Sequence, residues 1–207
     1  KKSDVTEAQS VPDIYLEYKK TDQTHLVVGF RGYSGLDESK YAAEVLGAIL
    51  GSGMSSRMFV RIRERLGLAY TVMSAHESYS NRGFLVTYAG VDHKNVEKTI
   101  RAVLEEYKKI RDEGVSVNEL RRVKDQIRGR TSIALEASNA VANFIGQEEM
   151  VTGSPLTIDE IFDKIEAVTP DDISRVSKDI MRSERLNLAL IGPFEDRTLF
   201  EKLLAEF

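Results

Sequence analysis

Apolar residues follow two rhythms along this chain, and each change of rhythm marks a new element. Ile14 to Tyr18 and His25 to Arg31 read as strands, separated by the polar cluster Lys19-Lys20-Thr21-Asp22-Gln23. The second run is apolar almost throughout, which places it centrally in a sheet. Tyr41, Val45, Leu46 and Ile49 then recur at helical spacing. Asp37-Glu38-Ser39 stands ahead of them with capping side chains and first-turn negative charge, and Gly51-Ser52-Gly53 closes the helix. A shorter helix from Ser56 to Leu66 is expected to turn Phe59, Ile62 and Leu66 inward and to stop at Gly67, a natural left-handed position.

Tyr70 to His76 and Gly83 to Gly90 are rich in β-forming residues and read as an antiparallel hairpin joined by Glu77 to Arg82. Val96, Ile100, Val103, Leu104, Tyr107 and Ile110 make one apolar stripe that ends at Gly114. Ser116-Val-Asn-Glu119 has the pattern of a capping box and opens a second long helix through Leu120, Val123 and Ile127. A third helical stretch covers Asn139 to Val151. Thr157-Ile-Asp-Glu160 and Thr169-Pro-Asp-Asp172 announce two more helices, the latter with Pro170 at its first position. Asn187 to Ile191 is a last strand, closed by Gly192-Pro193, and Thr198 to Phe207 a terminal helix.

Strict strand and helix alternation is missing, so the order implies an α+β fold: a two-layer sandwich with a mixed or antiparallel sheet covered by helices. The 207 residues, 42% of them hydrophobic, suffice for one core. The chain therefore reads as a linker-like lead-in at 1–13 and a single domain at 14–207. Twenty-nine basic and 33 acidic residues are spread without a basic block, which argues against nucleic acid as a partner. The longest apolar runs, Leu26 to Phe30 and Leu188 to Ile191, fall well short of the roughly 20 residues of a membrane span. Absence of cysteine removes disulfides and thiolate chemistry. A cytoplasmic location fits, and the periplasm or a mitochondrial matrix is compatible.

Candidate chemistry narrows quickly. A zinc hydrolase needs clustered imidazole and carboxylate ligands, yet His25, His76 and His93 are the only histidines and no two lie within four residues. Neither H-E-x-x-H nor H-x-x-E-H occurs, which excludes an autonomous zinc-peptidase site of either type. Each histidine reads as structural or solvated. Gly51-Ser52-Gly53 follows a helix rather than a strand and lacks the remaining glycine and lysine of the phosphate-binding motifs, so it reads as a tight turn. No G-x-S-x-G elbow supports serine catalysis. What remains is Arg63, one turn before Gly67, and Tyr70, which opens the next strand. The intervening loop can bring a guanidinium and a phenol, both donors at neutral pH, to one rim. Taken alone, such a pair is most often an exposed helix residue and a half-buried aromatic.

The context changes that reading. Gly51-Ser-Gly-Met-Ser-Ser-Arg-Met-Phe59 and Ile62-Arg-Glu-Arg-Leu-Gly-Leu-Ala-Tyr70 resemble the second domain of pitrilysin and insulinase-type zinc peptidases, closest to the mitochondrial-processing-peptidase-like members. His25 to Phe30, Tyr41 to Leu50, Gly83 to Gly90, Glu119 to Lys124, Gly146 to Glu149, Ile165 to Ile173 and Leu188 to Pro193 extend the likeness over nearly the whole chain. The long glycine-rich loop of the mitochondrial alpha-type subunit is absent, because Leu50 to Met54 is short, which favours a bacterial or archaeal type.

In that family two similar halves face each other like a clamp. One carries the inverted zinc motif, and the other supplies an Arg and a Tyr to the substrate. The resemblance therefore implies the non-metal half of a zinc endopeptidase acting on peptides or unfolded segments. Arg63 would hold substrate main-chain or terminal oxygens, and Tyr70 the scissile carbonyl. It implies no metal bound by this chain, zinc in a partner domain or subunit, no peptidase activity alone, and homo- or hetero-dimeric arrangements. Relatives that became structural components of respiratory complexes supply the alternative, a noncatalytic scaffold.

Overall fold

A computed structural model describes residues 8–207, so the first part of the lead-in lies outside the described residues. Gln9 already belongs to the fold: its amide donates to the carbonyl of Leu186 at 3.1 Å and its oxygen accepts from Arg31 Nε at 3.3 Å. The first strand, β1 (Asp13–Tyr18), starts one residue earlier than its apolar pattern suggests.

The nearly continuous apolar run becomes β2 (Thr24–Gly32), the middle strand of a five-stranded sheet ordered β1-β5-β2-β4-β3. The hairpin is β3 (Ala69–Tyr79) and β4 (Arg82–Val91), antiparallel, with Tyr79 opposite Arg82. Only Ser80 and Asn81 separate these strands, so the polar stretch expected as a connection is mostly paired strand; cross-strand hydrogen bonding outweighs local polarity there. The last strand, β5 (Leu186–Gly192), inserts between the first two, parallel to β1 and antiparallel to β2. This is the α+β architecture with a mixed sheet that the element order implies.

One face of the sheet carries Leu26, Val28 and Phe30, Leu85 and Ala89, and Leu186, Leu188 and Leu190, all buried. Helices α1 (Lys40–Gly51), α2 (Val96–Glu113) and α6 (Pro170–Ile180) cover it with Val45, Leu46, Ile49, Ile100, Val103, Tyr107, Ile173 and Val176. Tyr107 is entirely buried, and its hydroxyl lies 2.5 Å from Thr87 Oγ1 and donates to the Val28 carbonyl at 3.1 Å. Two donors or acceptors thus satisfy a polar group that would otherwise destabilise the core. Alternate positions on the other sheet face, such as Tyr15 and Met73, remain exposed.

The remaining helices are α3 (Val117–Ala134), α4 (Ser138–Thr152), α5 (Ile158–Glu166) and α7 (Thr198–Ala205). Thr157 and Thr169 each close a capping box, with Glu160 and Asp172 respectively returning a hydrogen bond, as their spacing predicts. At α1 the cap differs from expectation. Ser39 makes no side-chain cap; Asp37 Oδ1 instead accepts from the Ser39 N–H at 2.8 Å, and the first turn holds no acidic residue.

Helix α1 sits unusually close to β3. A methyl group on Gly51 would fall 1.9 Å from Ser74 N, inside the backbone, and one on Gly47 would fall 2.6 Å from His76 N. Glycine permits this approach and nothing larger does. Gly51→Ala is expected to force the helix away from the strand and lower unfolding free energy by about 1–3 kcal/mol, the range of core overpacking. Urea denaturation followed by circular dichroism measures it, and an unchanged midpoint would mean that α1 has room to move.

Candidate functional site

Two backbone irregularities place the residues singled out from sequence. After α1 the chain turns through Gly53, whose φ is +84°, and enters a π-helical turn at Phe59–Arg65 instead of the regular helix its pattern suggests. The amide of Leu66 bonds to the carbonyl of Arg61, five residues back, at 3.1 Å. This widened turn rotates Leu66 outward, where it is 48% exposed, contrary to the inward position expected; Ile62 is fully buried and Phe59 half-buried. Single π turns of this kind recur at functional sites because they shift side chains off the helical register. Gly67 then takes φ +59°, the left-handed stop its type predicts.

The second irregularity is a β-bulge at the start of β3. Ala69 pairs with Val91 and Thr71 with Gly90, so Tyr70 is the extra residue. A bulge re-aims the side chain of the unpaired residue. Tyr70 is 76% exposed. Its ring lies 4.9 Å from the guanidinium carbon of Arg63, which is also 4.9 Å from the ring of Phe59.

Arg63 and Tyr70 are therefore brought together, stacked rather than hydrogen-bonded. Among the described residues Arg63 has no carboxylate partner and the Tyr70 hydroxyl no hydrogen bond. They border an open concavity of about 400 Å³ whose other walls include Gln23, Leu68, Asp92 and Asn95. A cation resting on an aromatic face keeps its N–H donors free in the ring plane's surroundings.

Sequence reasoning did not find the residue that anchors this loop. Arg57 forms a two-toothed ion pair with Glu119, at 2.9 and 2.8 Å, and donates to the Gly114 carbonyl at 3.0 Å. Hydrogen bonding to Arg57 holds the Glu119 carboxyl below its ordinary range. Glu119 is thereby drawn away from the reciprocal half of its capping box, and only Ser116 caps α3, accepting from the Glu119 N–H at 3.2 Å. Nothing in the local spacing of Arg57 announces a partner 62 residues away.

The three histidines serve elsewhere. His25 Nδ1 lies 2.7 Å from the Tyr88 hydroxyl, while His93 engages Thr24 and the Thr21 carbonyl, each at 2.8 Å. His76 is buried; its Nε2 accepts from the Tyr33 N–H at 3.1 Å, and burial lowers its pKa to about 4. Zinc does not fit these residues, and among the described residues no group of three or more His, Cys, Asp or Glu is placed to hold a metal. Glu44, in α1, is a partly buried titratable group missed from sequence: desolvation lifts its carboxyl to about 7, with Lys40 opposing and Glu148 adding to the rise.

With this geometry in place, comparison assigns the class. Residues 2–127 match the family described as the peptidase M16 inactive domain. The chain belongs to that family. An uncharacterized zinc protease of Streptomyces coelicolor, SCO5738, is 35% identical over 179 residues, covering 86% of this chain and 39% of its own length. The uncharacterized zinc protease YmxG of Bacillus subtilis is 34% identical over 175 residues, 84% of this chain and 42% of its own. The chain thus spans about two fifths of the length of these curated relatives. A peptidase M16 inactive domain from Pseudomonas fluorescens shares the fold, with a TM-score of 0.79 at 21% identity, covering 93% of this chain and 47% of that one. Complex III2 from Candida albicans contains a chain of the same fold, with a TM-score of 0.82 at 20% identity, covering 94% and 49%. No helix among the described residues is long and apolar enough to cross a membrane.

His76 and the partly buried Glu44 act on stability in opposite directions. His76 is neutral in the fold, so its contribution is complete above its ordinary value of 6.5 and is lost as pH falls toward 4. Glu44 is the reverse: its contribution is complete below 4.5 and is lost as pH rises through 7. Glu44→Gln is expected to uncover the His76 slope, lowering stability by on the order of 2 kcal/mol between pH 7 and 5. His76→Gln is expected to gain stability over the same interval. Urea midpoints measured across it decide; a Glu44→Gln protein with a level or rising midpoint would rule out a neutral buried His76.

Proposed function

We propose that this domain is the metal-free half of a zinc endopeptidase that hydrolyses peptides or unfolded protein segments. The observation that carries the reading is the Arg63 and Tyr70 pair, raised out of regular structure by a π turn and a bulge, stacked on one another and left, among the described residues, without a carboxylate or hydrogen-bond partner. Donors kept free in this way suit a substrate. Arg63 binds main-chain or terminal oxygens, where a planar guanidinium can make two parallel hydrogen bonds. Tyr70 donates its hydroxyl to the scissile carbonyl as negative charge develops there. One well-placed donor of this kind contributes about 3 kcal/mol to the transition state.

The metal and the general base belong, in this reading, to a partner half. The relatives named as zinc proteases are more than twice as long as the matched region, which leaves room for such a half. In this reading the polar lead-in is the connection to it, joined to the working domain at Gln9, which bonds to Leu186 and Arg31 ahead of β1. Stacking on Phe59 and Tyr70 orients the Arg63 guanidinium before substrate arrives, so less side-chain freedom is lost on binding.

The test is reconstitution. The pure 207-residue chain is expected to cleave nothing, and addition of its zinc-bearing half to restore cleavage of an unstructured fluorogenic peptide. In that assembly Tyr70→Phe should lower kcat about 100-fold with KM little changed, because the lost bond strengthens only in the transition state. Arg63→Ala should raise KM. Unchanged turnover in Tyr70→Phe removes the hydroxyl from catalysis, and full activity in both variants favours a scaffold.

A further inference from the structure

Phe59, whose ring lies 4.9 Å from the Arg63 guanidinium, also lines a second concavity, of about 360 Å³. The turn that ends α1 forms one wall and the outer strand β3 the other. Met54, Phe59, Val72 and Met73 supply its apolar surface, with Ser52 and Arg130 beside them. Met54 is 75% exposed and Met73 52% exposed. Scattered apolar exposure needs no explanation, but two flexible thioethers and an aromatic ring gathered around one hollow are the composition of an adaptable binding surface.

Its walls are fixed. Gln126 Nε2 donates to the Ser52 carbonyl at 2.9 Å and Arg130 Nη1 to Ser52 Oγ at 2.5 Å, so α3 clamps the turn from outside while Gly51 seats it against Ser74. Its charge is one-sided. No carboxylate lines it, Arg130 has no ion-pair partner among the described residues, and the Phe59 ring in its wall carries the Arg63 guanidinium at 4.9 Å. A guest entering here meets apolar walls beside one guanidinium group, that of Arg130.

We propose that this hollow is a side-chain subsite for an extended peptide lying across Arg63 and Tyr70, accepting an apolar residue such as leucine or methionine whose acidic neighbour is held by Arg130. The inference rests on the peptide-binding reading of Arg63 and Tyr70 and adds the class of peptide: apolar and acidic side by side. A basic neighbour is disfavoured, since the Arg130 guanidinium would face a second cation.

The assembled peptidase, this chain together with its zinc-bearing half, is assayed with four fluorogenic peptides that differ at one adjacent pair: Leu-Glu, Leu-Lys, Ser-Glu and Ser-Lys, the pair being moved through the positions flanking the cleaved bond. At one position kcat/KM is expected to favour Leu over Ser about tenfold and Glu over Lys about fivefold. Arg130→Glu should invert the Glu/Lys ratio and leave the Leu/Ser ratio in place, and Arg130→Lys should restore it. Met54→Ser combined with Met73→Ser should bring the Leu/Ser ratio near one and keep the Glu/Lys ratio. Circular dichroism confirms that each variant is folded. Ratios that stay put in both sets overturn the subsite, even where Tyr70→Phe has slowed turnover. Ratios that move while Tyr70→Phe is inert support the subsite and overturn only the catalytic role of the tyrosine.

Discussion

The close contact of α1 with β3 is the constraint on which the rest of the site depends. Gly47 and Gly51 bring helix backbone against strand backbone, with no Cβ between Gly51 and Ser74. Because the helix cannot stand off, the chain leaving it has to turn at once, through Gly53 in a positive φ that other residues adopt at a cost. The segment then runs back beside β3 and must reach the head of that strand within a few residues. A regular helix over Phe59–Arg65 would not deliver the same side chains to that point; the π turn keeps Ile62 in the core while moving Leu66 out and Arg63 toward the strand.

Strand β3 meets this arrangement with an irregularity of its own. Its pairing with β4 slips by one residue between Ala69 and Thr71, which frees Tyr70 from the alternation that would otherwise decide its face. Local strain is usually retained where it serves a purpose, and here two departures from regular structure converge on one pair of donors. Arg57 locks the arrangement from behind by joining the turn to Glu119 and the Gly114 carbonyl. A charge pair bridging two segments this way fixes orientation as much as it stabilises.

The three histidines stand apart from one another in this construction. Where a metal-binding fold would place imidazoles and carboxylates in one cluster, the histidines here are separated and each is taken up by neighbouring hydroxyls or backbone. Membership of the M16 inactive-domain family and this distribution of histidines agree. The chain offers donors and apolar surface, and it spans about two fifths of the length of the relatives named as zinc proteases.

Much of this was legible in the residues themselves. Apolar period, the two capping boxes at Thr157 and Thr169, Pro170, Gly67 and Gly114 all act within a turn or two of where they stand, and the elements they mark appear with small shifts at their ends. The absence of a zinc motif is equally a property of spacing. Arg63 and Tyr70 were legible only as members of a familiar pattern, because the six residues between them say nothing about stacking. What tertiary structure alone decided was long-range: β5 inserted between β1 and β2, the Arg57 pair reaching Glu119, the π turn and the bulge, the burial of His76 and the partial burial of Glu44. Local signals are set by the backbone's own hydrogen bonds and rotamers, which neighbouring residues control. Strand order, register slips and shifted pKa values depend on which distant surfaces exclude water from one another, and that is settled only when the whole sheet closes under its helices.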